Sequence, residues 1–431
     1  MSTASQGQGS FNLGAEKSKK VRFKLINNLI IVPVEVNGIN LSFVLDTGVS
    51  KAILFNLVNT DSLKIKNVEV INLRGLGGDG AIEALKSKNN LFRFGNAINV
   101  NQDIFVVFDS SINFTPRLGV QVHGIIGYDL FKDFVVEINY SSKYIRLHKH
   151  GFYKPRKSKK WQTIGLNLYN SKPYLDAEVV IDSVSKPVKL LIDSGGSDAL
   201  WLFEDEDSGI MPNEDKFFDD FLGKGLSGAV FGRRSKIETF KLGDYQLRDI
   251  NVAFPDSLSI NVARQYKDRS GSIAGNLLKR FNFFIDYKNE RIELKKNGNF
   301  KAPFYYNNSG IVLEQRGVRV VREKFRTNSY DIMRSSQNDT ATNLDAIVTY
   351  SISLKPAYEI VELRESSNAK ASGLMIGDVL ASVNGKPAHQ FSLQEINEIF
   401  YDKEGKRITL NIERDGKEMS FRFALDNVFK K

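Results

Sequence analysis

The sequence predicts a mainly β protein, with two duplicated, mostly β lobes followed by a small α+β domain. Three observations carry this. Short β-branched and aromatic runs separated by turn residues recur through residue 300, and few stretches sustain a helical period. Four landmarks repeat in register, 147 to 148 residues apart. After Lys301 a polar, asparagine- and arginine-rich stretch leads into a third unit of a different kind.

The first landmark is an apolar strand running into an acidic turn. Leu41 to Phe55 (LSFVLDTGVSKAILF) matches Val188 to Phe203 (VKLLIDSGGSDALWLF), which sets Asp193 147 positions after Asp46. The second is a glycine-rich turn, Gly75-Leu-Gly-Gly-Asp-Gly80, matched by Gly223-Lys-Gly-Leu-Ser-Gly228. Next, His123 to Leu130 (HGIIGYDL) corresponds to Gly271 to Leu278 (GSIAGNLL), pairing Gly127 with Gly275. Last, the alternating strands of Phe134 to Leu147 match those of Asn282 to Leu294. These landmarks set the expected organisation: 1–21 a disordered N-terminal segment, 22–153 the first lobe, 160–300 the second, 301–342 a linker and 343–426 the third domain.

The third domain has its own signature. Tyr358 to Leu363 alternates as a strand, and Val379 to Val383 leads into an Asn384-Gly385 turn that favours a hairpin. Ser392 and Glu395 form a capping box just before Ile396, Ile399 and Phe400, and Arg407 to Ile412 closes the unit as a strand.

Composition narrows the chemistry. Apolar residues make up 42% and charged residues 26%, with 30 Phe and 15 Tyr, enough core-forming material for folded domains. There is no cysteine, so disulfides, thiol nucleophiles and thiolate zinc sites are excluded. His123, His148, His150 and His389 are too scattered for a metal motif, so neither cofactor nor metal is expected. The net charge of +10 is densest at Lys17 to Lys24 and Lys154 to Lys160, runs read as solvated linkers without the interleaved aromatics of a nucleic-acid surface. No apolar run reaches the roughly 18 residues that span a bilayer. Met1 to Gly14 is rich in Ser, Gly and Gln and carries no signal-peptide core. Its abrupt polar start reads as a trimmed export product, so the expected location is periplasmic or secreted, with the cytoplasm as the alternative.

Two acids, each between an apolar strand and a hydroxyl residue plus glycine, describe a symmetric carboxylate pair if the lobes face each other. Carboxylates about 3 Å apart cannot both ionise cheaply, so the pair keeps one proton and offers an acid and a base at once. Water between them can then be activated against a peptide carbonyl without metal or covalent intermediate. Gly48 and Gly195 let backbone N–H groups approach the carboxylates, and Thr47 and Ser194 supply hydroxyls that can bond across the lobe junction.

These residues resemble the pepsin and retropepsin group of aspartic proteases, whose members share two Asp-Thr/Ser-Gly motifs followed by an apolar-apolar-Gly motif. The resemblance covers about residues 25 to 296 and includes Ile125-Ile-Gly127 and Ile273-Ala-Gly275. It implies acid-protease β-barrel lobes, catalysis by Asp46 and Asp193, and an extended peptide or protein substrate in a cleft between the lobes. It also implies a flap carrying Gly75, Gly77, Gly78 and Gly80, although Arg74 to Leu85 lacks the tyrosine usual near the tip. The glycine turns also fit a dinucleotide fingerprint, but strands and turns rather than a helix follow them. Asp129 and Asp198 lack an acidic counterpart in the other copy and read as structural.

The third domain resembles bacterial PDZ domains attached to exported proteases, through Ala371-Ser-Gly-Leu374, Gly377-Asp378 and Asn384-Gly385. That implies a peptide ligand added as a strand beside the helix at Leu393 to Tyr401. The segment preceding Tyr358, Ser351 to Ala357, lacks the usual carboxylate-capturing Gly-Leu-Gly-Phe. The expected function is thus a monomeric aspartic endopeptidase with a peptide-binding PDZ domain. The rival is a protease-like protein that has lost catalysis and works by binding peptides.

Overall fold

The computed structural model describes residues 9–55, 63–77, 80–109, 112–326 and 348–429. It is mainly β and divides into two compact units. Unit 1 comprises residues 1–115, 120–306 and 428–431, and unit 2 comprises 116–119 and 307–427.

Unit 1 begins with β1 (Ser18–Arg22), β2 (Lys24–Ile26), β3 (Leu29–Val36), β4 (Ile39–Leu45) and β5 (Ala52–Leu54). It continues through β6 (Val68–Leu73), β7 (Ile82–Phe94), β8 (Ala97–Val106), β9 (Gly124–Ile126) and α2 (Tyr128–Phe131), while α1 (Thr115–Leu118) falls largely in the segment assigned to unit 2. The first copy closes with β10 (Val135–Asn139) and β11 (Tyr144–His148). The second copy runs β12 (Gln162–Gly165), β13 (Asn167–Tyr169), β14 (Lys172–Ile181), β15 (Val184–Asp193) and β16 (Leu200–Leu202). Then come β17 (Phe217–Gly225), β18 (Gly228–Leu242), β19 (Tyr245–Pro255), β20 (Gly271–Ala274), α3 (Gly275–Leu278), β21 (Phe281–Asp286) and β22 (Arg291–Lys296).

The duplication read from the sequence is reproduced strand by strand. One eight-stranded sheet has the order β2-β3-β4-β9-β5-β8-β7-β6 and the other β13-β14-β15-β20-β16-β19-β18-β17, each strand differing from its counterpart by eleven places. A third sheet, β1-β11-β10-β21-β22-β12, takes strands from both copies and joins them through the antiparallel pair β10–β21. In each copy the acid-bearing strand pairs in parallel with the strand of the apolar-apolar-Gly motif, β4 with β9 and β15 with β20. The core combines both copies. Phe43, Phe92 and Phe131 from the first and Phe240, Phe281 and Phe283 from the second are all buried in one cluster.

Two expectations need correction here. Residues 9–21 are not a disordered tail. Phe11 and Leu13 are buried, and β1 pairs along its length with β11. The Lys17–Lys24 run is an edge strand, not a solvated linker. Lysines suit a sheet edge, where charge discourages further pairing, and Lys20 places its ammonium 4.1 Å from the centroid of the Tyr144 ring.

Unit 2 consists of β23 (Ile311–Arg326), β24 (Val348–Leu363), α4 (Asn368–Ala371), β25 (Val379–Val383), β26 (Lys386–Pro387), α5 (Leu393–Phe400), β27 (Arg407–Arg414) and β28 (Lys417–Ala424). The sheet order is β23-β24-β25-β27-β28, with β26 paired to β25. Ser392 and Glu395 form the expected capping box at the start of α5, and Leu393, Ile396 and Phe400 bury its apolar side. The stretch expected as a linker, 301–342, instead contains β23, whose strand partners run from Ile311↔Leu363 to Arg326↔Val348. Its many charged residues, among them Glu314, Arg316, Arg319 and Arg322, disguise a strand whose partner lies beyond residues 327–347. Those residues, which include the expected boundary at 343, lie outside the described ones.

Candidate active site

Asp46 follows the last residue of β4, and Asp193 is the last residue of β15. The residues just before each acid, Phe43–Leu45 and Leu190–Ile192, are apolar and buried, so the chain delivers each carboxyl from a fixed backbone into the interior. The Asp46 N–H is itself held by the Ile126 carbonyl, 2.9 Å away on β9.

Four hydrogen bonds tie the two acidic turns together. Thr47 Oγ1 donates to the Ile192 carbonyl at 2.6 Å, and Ser194 Oγ donates to the Leu45 carbonyl at 2.8 Å. In return the Thr47 N–H donates to Ser194 Oγ at 3.1 Å and the Ser194 N–H to Thr47 Oγ1 at 3.0 Å. Both side chains are fully buried, so each hydroxyl is held as donor and acceptor with no water to compete. The arrangement nearly obeys a two-fold axis relating the copies.

The carboxyls meet across this junction. The Gly48 N–H donates to Asp46 Oδ1 at 2.6 Å and the Gly195 N–H to Asp193 Oδ1 at 3.0 Å. Gly195 is indispensable sterically, because a Cβ there would stand 2.3 Å from the Asp46 Cγ. Asp46 and Asp193 hydrogen-bond to one another, and the Asp46 carboxyl is pushed up to about 7, first by burial and then by the neighbouring Asp193 charge. Burial also raises Asp193, opposed first by the Arg269 guanidinium and also by backbone N–H groups and Lys172. A proton therefore stays on the pair well above the usual carboxylate range.

Lys172 and Arg269 were not anticipated. Each occupies one copy only, so the repeat hides them, yet the same repeat could have flagged them as charged departures from apolar counterparts. Continuing the β14–β15 register two residues beyond Tyr174↔Leu191 sets Lys172 opposite Asp193, whereas Ile31↔Val44 continued likewise sets Leu29 opposite Asp46. Arg269 similarly stands where the first copy has the buried Val122.

The glycine turns lie at the tips of two hairpins, β6–β7 and β17–β18, and they touch. The Gly75 N–H donates to Ser227 Oγ at 3.0 Å, and the Ser227 N–H donates to the Leu76 carbonyl at 2.9 Å. Gly77, with φ of 120°, presses so closely on this turn that a Cβ would lie 2.1 Å from the Ser227 carbonyl oxygen. Leu76 packs beside Leu222, Val230 and Ala253. Gly80 borders the described turn with nothing near its missing side chain, and Gly78 lies outside the described residues. The contact between the two turns had no signal in the sequence.

Asp129 and Asp198 stand apart from this chemistry. Asp129 is buried in α2, raised to about 6 by desolvation and bonded by Gln102 and the Ala52 backbone. Asp198 accepts from Trp201 Nε1 at 2.7 Å and from Arg234 at 2.8 Å. Among the described residues no group of three or more His, Asp or Glu side chains is placed to hold a metal ion. No helix among them is long and apolar enough to cross a membrane.

Residues 32–130 match the family model described as aspartyl protease. The matched span holds Asp46, Thr47 and Gly48, the described part of the β6–β7 turn and the Ile125-Ile-Gly127 motif. The chain thus carries a domain of the aspartyl protease type, a hydrolase class that acts on peptides. No curated protein matches the chain.

Proposed function

We propose that the protein is an aspartic endopeptidase whose catalytic pair is Asp46 and Asp193, one from each copy of the duplicated unit. The observation that carries this reading is the hydrogen-bonded meeting of the two carboxyls, with Asp46 raised to about 7. A dyad of this kind holds one proton and one negative charge. The charged carboxyl takes a proton from a water between them as the water oxygen attacks the peptide carbonyl carbon. The protonated carboxyl gives its proton to the carbonyl oxygen, and the resulting diol collapses once the amine nitrogen has been protonated. Thr47, Ser194, Gly48 and Gly195 hold the carboxyls in place, which supplies the preorganisation such a transfer needs. The β6–β7 hairpin, with Gly75 and Gly77 in the described part of its turn, serves as the flap over an extended substrate.

Unit 2 is the peptide-binding module of this reading, a PDZ-like domain. Its support is topological, since β23 ends the sheet order and α5 packs against it. A peptide adding as a strand would therefore pair with β23 rather than with the segment before Tyr358.

Incubation with a labelled unstructured polypeptide tests the enzyme reading. Cleavage that a hydroxyl-bearing statine-type transition-state mimic blocks is expected. Tight binding of peptide without cleavage would favour the rival, a protease-like binding protein.

A further inference from the structure

The two carboxyls sit in a nearly symmetric backbone frame, but their surroundings are not symmetric. Both nearby cations come from the second copy. Lys172 is the first residue of β14, placed by the strand register opposite Asp193 and on the same face of β14 as Tyr174. Its ammonium is largely buried and acts electrostatically on both acids and on Arg269. Arg269 is almost wholly buried. Its Nε donates to the Gly271 carbonyl at 3.1 Å, its NH2 group donates to Ser272 Oγ at 2.7 Å, and it hydrogen-bonds Tyr174. These bonds fix a guanidinium that cannot lose its charge on the Asp193 side.

The corresponding places in the first copy are apolar, Leu29 opposite Asp46 and Val122 in place of Arg269. On that side the ionisable neighbour is Tyr287, a buried phenol kept neutral by desolvation and stacked on Phe131 at 5.2 Å. The groups facing the pair are thus Lys172, Arg269 and Tyr287, with the N–H groups of Gly48, Gly195 and Gly196. Of the two acids, Arg269 acts on Asp193 alone, whereas Lys172 acts on both.

We propose that Arg269 polarises the dyad, holding the negative charge on Asp193 and the single proton on Asp46, while Lys172 favours ionisation of both acids. This rests on the peptidase reading only for its catalytic consequence. Asp193 then acts as base and receives the proton of the attacking water. Asp46 acts as acid and gives its proton to the carbonyl oxygen as the new carbon–oxygen bond forms. The dyad ends the step with one proton, now on Asp193, so charge balances. Lys172 and Arg269 act through the carboxyls and are positioning residues. The same charges keep Asp193 ionised at pH values where an isolated buried pair would hold both protons, which extends the working range to lower pH.

The test is a pH titration of the whole protein labelled with [13Cγ]Asp, the two signals being assigned with Asp46→Asn and Asp193→Asn. The expected order is ionisation of Asp193 at lower pH than Asp46. In Lys172→Met both ionisations should move upward by about one pH unit, the usual effect of removing one adjacent opposite charge. The acid limb of kcat/KM should move with them. In Arg269→Gln, Asp193 should move more than Asp46. Ionisation of Asp46 first in the unmodified protein, or an Asp193 titration that moves no more than that of Asp46 in folded Arg269→Gln, overturns the proposal. The order of ionisation in the unmodified protein decides the matter even if neither variant folds. A protein that titrates as expected but cuts no peptide loses the peptidase reading and keeps the polarised pair. One that cuts but titrates in the reverse order loses the polarised pair alone.

Discussion

Thr47 and Ser194, 147 residues apart in the chain, each donate a hydroxyl to the main chain of the other's strand and accept the other's backbone N–H. This reciprocal lock fixes the separation of the acids beside them. Removing either hydroxyl leaves a buried N–H and a buried carbonyl unsatisfied, at a cost of about 1–3 kcal/mol each. Thr47→Val and Ser194→Ala should therefore lower the denaturation midpoint and cut turnover at least tenfold while the protein remains folded. Unchanged turnover in both would show that the lock does not position the carboxyls.

Gly195→Ala tests the close approach of backbone to carboxyl. The added methyl would stand 2.3 Å from Asp46 Cγ, so the acid must move away from its partner. Turnover should be lost with secondary structure retained. Gly165→Ala, at an open place with nothing within 4 Å, serves as the control and should leave both intact.

The raised carboxyls make stability depend on pH in a fixed direction. Asp46 goes from 3.8 to about 7 and Asp129 from 3.8 to about 6, so the folded state keeps protons that the unfolded chain releases. Their contribution is fully present below about pH 4 and fades as pH rises through 6 and 7. Denaturant midpoints should thus fall between pH 4.5 and 7.5, less steeply in Asp129→Asn. Peptide cleavage should fall too as pH rises through about 7, where the dyad loses its proton. A midpoint that climbs over this range in the native protein and is unaffected by Asp129→Asn would contradict the assignment.

The acids and the frame around them were legible because the chain states them twice. Asp46-Thr-Gly alone is an ordinary acidic turn after a buried strand, and its recurrence as Asp193-Ser-Gly in register turned it into a pair. What occurs once was not legible by the same means. Lys172 and Arg269 break the repeat and look like surface cations until β14 and β20 are laid beside Asp193. The strand β23 reads as linker in the sequence because Glu314, Arg316, Arg319 and Arg322 colour it polar, and because its partner β24 lies beyond 327–347. Phe11 and Leu13 were lost in a Ser- and Gly-rich context, although burial against the first copy orders them. The meeting of Leu76 with Ser227 depends on how the two hairpins approach in space, which neither hairpin encodes locally.

Chelation gives an independent check on the class of chemistry. The chain has no cysteine and its histidines are dispersed, so the water is activated by carboxyls in this account. EDTA should leave cleavage unchanged. Loss of activity restored by added zinc would place the protein in another class of hydrolase.

The most direct measurement is turnover of an unstructured polypeptide by Asp46→Asn and Asp193→Asn, with folding checked in each. Either change keeps side-chain volume and removes the acid–base pair. The account predicts that each variant folds and that each loses hydrolysis by several orders of magnitude. Near-native turnover in either one would contradict it.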